Sequence, residues 1–284
     1  MLPLKDNIPT DRFPIVTVLF IAINVAFFIW QLSLDDGPNS SESPQIQGLS
    51  AADEAVFELG AIPYRLIHPG SECGVVTAPA GTELAGVDPV VCGESPDRLE
   101  AEGTPGVRVV DLEAPPWWAT ILTSMFMHGG WLHIIGNMLF LWVFGNNVED
   151  AMGRLRFVLF YVLAGVAAVY AQSAIDPSST IPTIGASGAV AGVLGAYILL
   201  HPGARVVTLV IIIFFVTLIE IPAMILLAVW AALQFLPALG QVGVGDMPGD
   251  SVAYVAHVGG FIFGLAAIKL FAARRNERPR LGLR

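Results

Sequence analysis

Residues 13–32 (FPIVTVLFIAINVAFFIWQL) contain no charged side chain. An α-helix rises about 1.5 Å per residue, so roughly 20 such residues are needed to cross the hydrocarbon core of a bilayer. The run is too long for a secretory leader and lacks a small-residue cleavage site, so it is expected to persist as a first span. Comparable stretches occupy residues 120–144, 157–174, 182–200 and 252–271. Backbone in lipid must satisfy its hydrogen bonds within the segment, which makes each of these a helix candidate. The composition agrees: 55% of the chain is hydrophobic and 13% charged, where a soluble domain carries about a quarter charged residues.

The apolar stretch between residues 205 and 240 is too long for one straight helix. Its first half, residues 206–219 (VVTLVIIIFFVTLI), is dense in β-branched residues, which favour strands or a stiff segment at the membrane surface. Glu220 and Pro222 interrupt it, and a proline in the first turn suits a helix start. Residues 221–236 are therefore expected to form the fifth span.

The expected fold is an all-α polytopic membrane protein with six spans. Orientation follows from Lys/Arg placement. With the N-terminus inside, Lys5, Arg12, Arg154, Arg156, Arg205, Lys269 and the five arginines of the tail are cytoplasmic, leaving Arg65, Arg98 and Arg108 outside. The expected organisation is a cytoplasmic segment 1–12, a first span 13–32, an external loop 33–116, a five-helix remainder 117–271 and a basic cytoplasmic tail 272–284, in the cell membrane. The loop holds 15 Asp/Glu against three Arg and is rich in Pro, Gly and Ser, so much of it is expected to be flexible. Residues 58–68 (ELGAIPYRLIH) read as more ordered. Cys73 and Cys92 both fall in the external loop, where thiols oxidise, and are a candidate disulfide. Two cysteines are too few for a disulfide scaffold or a Cys-rich zinc module. A net charge of −10 with no Lys/Arg-rich face disfavours a basic nucleic-acid binder.

Polar groups inside membrane spans are costly and serve as functional candidates by default. The second span offers His128, His133 and Asn137, the fourth Ser187 within GASG, and the sixth His257 within AHVGG. His133 and Asn137 are four residues apart and share a helix face. Gly188, Gly192 and Gly195 form a small-residue stripe on the fourth span; Gly260 and Gly264 share a face with His257 on the sixth. Small faces let helices approach closely in lipid, and a meeting of these two would bring Ser187 and His257 together. Ser187 and His257 each lie about five residues, or roughly 8 Å, into a span entered from outside. One span between them keeps both at the same depth; two would not.

A serine hydroxyl needs a base to become a nucleophile, and His257 is the available one. No carboxylate lies in the outer half of any span, so the arrangement is a dyad rather than a triad. The Ser187 backbone N–H, His133 and Asn137 are candidate oxyanion donors, with Gly185 and Gly188 keeping the backbone slim beside the reacting carbonyl. Each signal has a plainer reading: the glycines are also packing devices, His257 a hydrogen-bonded packing residue, His133 and Asn137 helix bridges, and His128 a supporting or interfacial residue. The conjunction on three spans favours chemistry.

At these residues the sequence resembles the rhomboid family of intramembrane serine proteases, through residues 128–150 (HGGWLHIIGNMLFLWVFGNNVED), 185–197 (GASGAVAGVLGAY) and 256–264 (AHVGGFIFG). The resemblance implies a six-helix rhomboid-like bundle, a water-accessible cavity open to the outside and cleavage of membrane-anchored substrates. It implies Ser187 as nucleophile, His257 as base, and His133 and Asn137 at the oxyanion. Two features depart from the family's pattern. The tyrosine that many members carry four residues after the serine is here Ala191, and a Trp-Arg pair is missing from the first loop.

The expected reaction is hydrolysis of a peptide bond in or beside a substrate's transmembrane segment, with no metal or cofactor and with transmembrane proteins and the bilayer as partners. The scissile segment must first unwind. The fifth span, read as contributing few polar ties, is a candidate gate. The rivals are a catalytically silent relative that binds transmembrane helices, a small transporter, which no inverted repeat supports, and a zinc protease, for which no H-E-x-x-H occurs.

Overall fold

A computed structural model describes residues 2–35, 50–77, 90–94, 101–103, 105, 107–212, 215–244 and 252–272. The expectations for the middle of the acidic loop and for the tail beyond residue 272 lie outside the described residues. In chain order the elements are β1 (Leu2–Asp6), α1 (Ile15–Asp35), α2 (Ala51–Leu59), α3 (Pro63–Ile67), β2 (Cys73–Thr77), β3 (Val90–Cys92) and β4 (Arg108–Asp111). The second half holds α4 (Trp117–Ser124), α5 (Trp131–Phe140), α6 (Asn146–Met152), α7 (Arg154–Ile175), α8 (Ser187–Leu200), β5 (Arg205–Ile212), β6 (Phe215–Pro222), α9 (Ala223–Val244) and α10 (Tyr254–Phe271). Among the described residues, four helical stretches have the length and apolar composition to cross a membrane: Ile15–Leu34, Arg154–Ile175, Ala223–Gln241 and Tyr254–Phe271.

The chain is mostly helical, yet the all-α expectation needs correcting, because two three-stranded sheets flank the bundle. One has the order β1-β5-β6 and the other β3-β2-β4. Residues 206–219 belong to an antiparallel hairpin that pairs Arg205 with Pro222 and Ile212 with Phe215. The β-branched run thus takes the strand option. Val206, Thr208 and Val210 alternate inward along β5 and are buried, while Val216, Leu218 and Ile219 on β6 are exposed. The second span is also not one helix from residue 120 to 144. α4 ends at Ser124, the chain turns through Met125–Gly130, and a new helix starts at Trp131 and runs through a π-type turn at Leu141–Gly145 into α6. The turn contains Gly129 and Gly130, the latter at φ 155°, where a helix cannot continue.

Buried polar groups fix the ends of the helices. Glu149, 3% exposed, accepts hydrogen bonds from the backbone N–H groups of Val16 and Thr17 and from the Thr17 hydroxyl. Those N–H groups are among the first-turn donors that α1 cannot satisfy itself, and a carboxylate there also meets the positive end of the helix dipole. Asp6, 8% exposed, accepts from the Tyr197 hydroxyl and the Asn147 side chain, joining β1 to α8 and α6. Burial pushes the Asp6 carboxyl up from 3.8 to about 6, against the pull of Tyr197, the Ile8 and Asp6 N–H groups and Lys5. A carboxyl raised in the folded state favours folding fully below pH 3.8, and that favour is lost as pH rises to about 6. The difference corresponds to roughly 3 kcal/mol. Acidification from pH 7 to 5 is therefore expected to stabilise the wild type relative to Asp6→Asn in thermal unfolding; parallel curves would contradict this.

At the other end of the bundle, Cys73 and Cys92 face each other across the β2–β3 pair and are disulfide-linked. This small sheet and α2–α3 dock on the segment before α8. Ala61 and Thr183 exchange both backbone hydrogen bonds, and the Tyr64 N–H donates to the Ser179 carbonyl. α8 thus runs from this loop-derived layer to the β5 hairpin, and most of its length is buried: Tyr197, Leu194 and Val193 are fully enclosed, while Leu199 is exposed.

Candidate functional site

α8 and α10 meet along their glycines. A Cβ on Gly260 would lie 2.0 Å from the Gly188 carbonyl oxygen, and one on Gly264 would lie 2.0 Å from that of Gly192. No side chain fits there, so the backbones themselves are in contact. Ser187 is the first residue of α8, one position before Gly188, and His257 lies in the first turn of α10, three before Gly260. The glycine contact therefore sets their separation. Both side chains line one cavity of about 690 Å³, together with His133, Asn137, Gly185, Trp230 and Gln234.

The hydrogen bonds around the cavity assign a tautomer to each ring. The Gly129 N–H donates to His133 Nδ1 at 3.4 Å, which leaves the His133 proton on Nε2. That nitrogen lies 2.6 Å from where a Gly185 Cβ would be, and Gly185 has φ 110°, so position and conformation both require glycine. His133 thus aims an N–H donor at the backbone beside Ser187. The Asn137 side-chain amide donates to His128 Nε2 at 3.1 Å, and His128 Nδ1 donates to the Phe126 carbonyl. Gln31 on α1 brackets the His128 backbone, accepting from its N–H and donating to its C=O. His128 therefore supports Asn137 from behind and does not itself line the cavity.

His257 Nδ1 meets Gln234 Oε1 on α9 at 2.7 Å. Among the described residues this is the ring's one hydrogen bond, and none joins it to Ser187. Trp230, one turn before Gln234, lies 6.3 Å from the imidazole, and Tyr254 stands edge-on to it at 6.4 Å. α9, the expected fifth span, thus carries a polar tie to the site, where few such ties were expected; Gln241 adds another, to the Val252 carbonyl. Gln172 on α7 accepts the Ala256 N–H, a first-turn donor of α10. Sequence reasoning passed over these three glutamines, although it weighed polar residues inside apolar spans. Each is a strongly polar residue within an apolar run, and that was the available signal. Among the described residues no group of three or more His, Cys, Asp or Glu could hold a metal.

The site thus gathers a serine, two histidines and an asparagine from three helices in one cavity beside the glycine contact, with a third histidine behind the asparagine. Residues 115–274 match the model of the Rhomboid domain, and the chain belongs to the rhomboid family. Rhomboid-like protein 11, chloroplastic, from Arabidopsis thaliana is 28% identical over 160 residues, 55% of this chain and 54% of that protein. Rhomboid protease GluP from Bacillus subtilis is 38% identical over 91 residues, 32% of this chain and 17% of the relative. The mitochondrial Rhomboid protein 1 of Saccharomyces cerevisiae is 29% identical over 150 residues, 51% and 40% respectively. The chain thus spans about half the length of these relatives or less.

Proposed function

We propose that the protein is an intramembrane serine endopeptidase that cleaves membrane-anchored proteins in or near a transmembrane segment. In this reading it has six spans, the loop-derived layer outside and both termini in the cytoplasm. Two short pieces complete the count: the continuous helical run 131–152 is the second span and α8 the fourth. Ser187 attacks the scissile carbonyl, and His257 takes its proton through Nε2, returns it to the leaving amine, and then deprotonates the water that releases the acyl group. His133 Nε2–H, the Asn137 amide and the Ser187 N–H at the start of α8 hold the developing oxyanion. Gly185 gives the carbonyl room. The observation that carries this reading is one cavity shared by Ser187, His257, His133 and Asn137, with the His133 tautomer that the oxyanion role needs.

The ring's hydrogen bond to Gln234 rather than to Ser187 favours a second reading, a silent relative that binds transmembrane helices without cutting them. The protease reading is kept because catalytic hydrogen bonds commonly shorten only once substrate is seated. The purified protein in liposomes decides between the two. A fluorophosphonate probe is expected to label the wild type at Ser187 and to block cleavage of a co-reconstituted single-span substrate. Substrate that co-purifies uncut, with no labelling, would establish the binding role instead.

A further inference from the structure

We propose that Gln234 is the positioning residue of the base: its side-chain carbonyl accepts the Nδ1 proton of His257 and so leaves the Nε2 lone pair facing the cavity. The assignment rests on the protease reading for its consequence in catalysis, and on the geometry alone for the hydrogen bond. A dyad lacks the carboxylate that fixes a catalytic imidazole in one tautomer and orientation. Among the described residues no Asp or Glu side chain makes a hydrogen bond to any ring of this cluster, and the other His, Asp or Glu residues lining the cavity with it are His133 and Asp176. Ala191, four residues after Ser187, offers no ring to stack on His257.

Something else must hold the ring, and α9 supplies it from one face. Gln234 bonds Nδ1 at 2.7 Å while Trp230, four residues earlier and on the same side of the helix, lies against the imidazole. A glutamine oxygen can only accept, so the proton sits on Nδ1. The other ring nitrogen is then free to take a proton from the serine. A neutral amide does this without needing a counter-ion of its own. The base and its orienter thus stand on neighbouring spans, the sixth and the fifth.

The test replaces the acceptor while keeping the shape. Gln234→Met, in liposomes with the same single-span substrate, is expected to lower kcat about 10- to 100-fold, a share of what a positioned base contributes, with KM changed less than about twofold. Gln234→Glu retains an oxygen at the same place and is expected to restore most of the loss. A residue that merely packs α9 would show no such rescue. Independently of activity, histidine nitrogen NMR of the wild type, with His257 assigned through His257→Ala, is expected to show its proton on Nδ1. Wild-type kcat in Gln234→Met, no rescue by Gln234→Glu, or a wild-type His257 protonated on Nε2 would each overturn the assignment. If the wild type neither labels nor cleaves, the protease reading falls, and the nitrogen shifts still decide whether Gln234 fixes the ring.

Discussion

Ser187→Ala is expected to reduce cleavage of a transmembrane substrate by about 10³-fold or more, His257→Ala by a similar factor, and the double variant by no more than either alone. The three numbers belong together. A hydroxyl at neutral pH is un-ionised and attacks only as its proton leaves, so removing the acceptor disables the nucleophile almost as fully as removing the oxygen. Residues that act as one unit give grossly non-additive losses. What survives in all three variants is the same residue of catalysis, the donors His133, Asn137 and the Ser187 N–H acting on a bound carbonyl. Initial rates in liposomes with a fluorescent single-span substrate measure this directly. A double variant slower than both singles by the product of their factors would show that the two side chains act on separate steps, and the dyad would be the wrong description.

The sequence carried the site further than it carried the fold. Ser187, His133, Asn137 and His257 stood out because polar side chains are rare in apolar runs, and all four line one cavity. The glycine spacing of α8 and α10 announced a close helix contact, and Gly188 and Gly192 do meet Gly260 and Gly264. Element boundaries were harder to see. The helix break at Met125–Gly130 lies inside an apolar stretch, and hydropathy does not distinguish a buried turn from a helix when both are dry. β1 was invisible for a different reason: five residues with no alternating pattern become a strand only because β5 offers them an edge. The Cys73 and Cys92 pair was suggested by compartment chemistry, but the register that sets them opposite each other comes from the β2–β3 pairing.

The glutamines share a physical logic of their own. Gln31, Gln172 and Gln234 sit on α1, α7 and α9, and each reaches a different part of the cluster: the His128 backbone, the first turn of α10 and the His257 ring. An amide donates and accepts without needing a counter-ion, so it can tie one helix to another where lipid makes ions expensive. Three helices that carry none of the four candidate residues therefore still help to place them. The amides thus tie together a cavity whose lining is mostly apolar and includes a single carboxylate, Asp176.

Gly264→Ala is expected to destabilise the protein by about 2 kcal/mol or more, although alanine is the better helix former. In an exposed helix the same change is worth up to roughly 1 kcal/mol in the opposite direction. Here the new methyl would sit 2.0 Å from the Gly192 carbonyl oxygen and 3.0 Å from its Cα, and both atoms are backbone, so no rotamer change relieves the overlap. α10 must move away from α8 as a unit, and overpacking of this kind costs about 1–3 kcal/mol or more. Gly240 is the control: nothing lies within 4 Å of a Cβ added there, so Gly240→Ala is expected to hold or raise the unfolding temperature. Gly260→Ala separates packing from chemistry, because its methyl would strike the Gly188 carbonyl beside Ser187. It is expected to lose fluorophosphonate labelling at temperatures where circular dichroism still shows a folded helix bundle, since a shift of about 1 Å at a reacting pair can cost 10²-fold in rate. Equal thermal stability for Gly264→Ala and Gly240→Ala would mean that the two helices yield freely, and the backbone contact would then not be what sets the distance between serine and histidine.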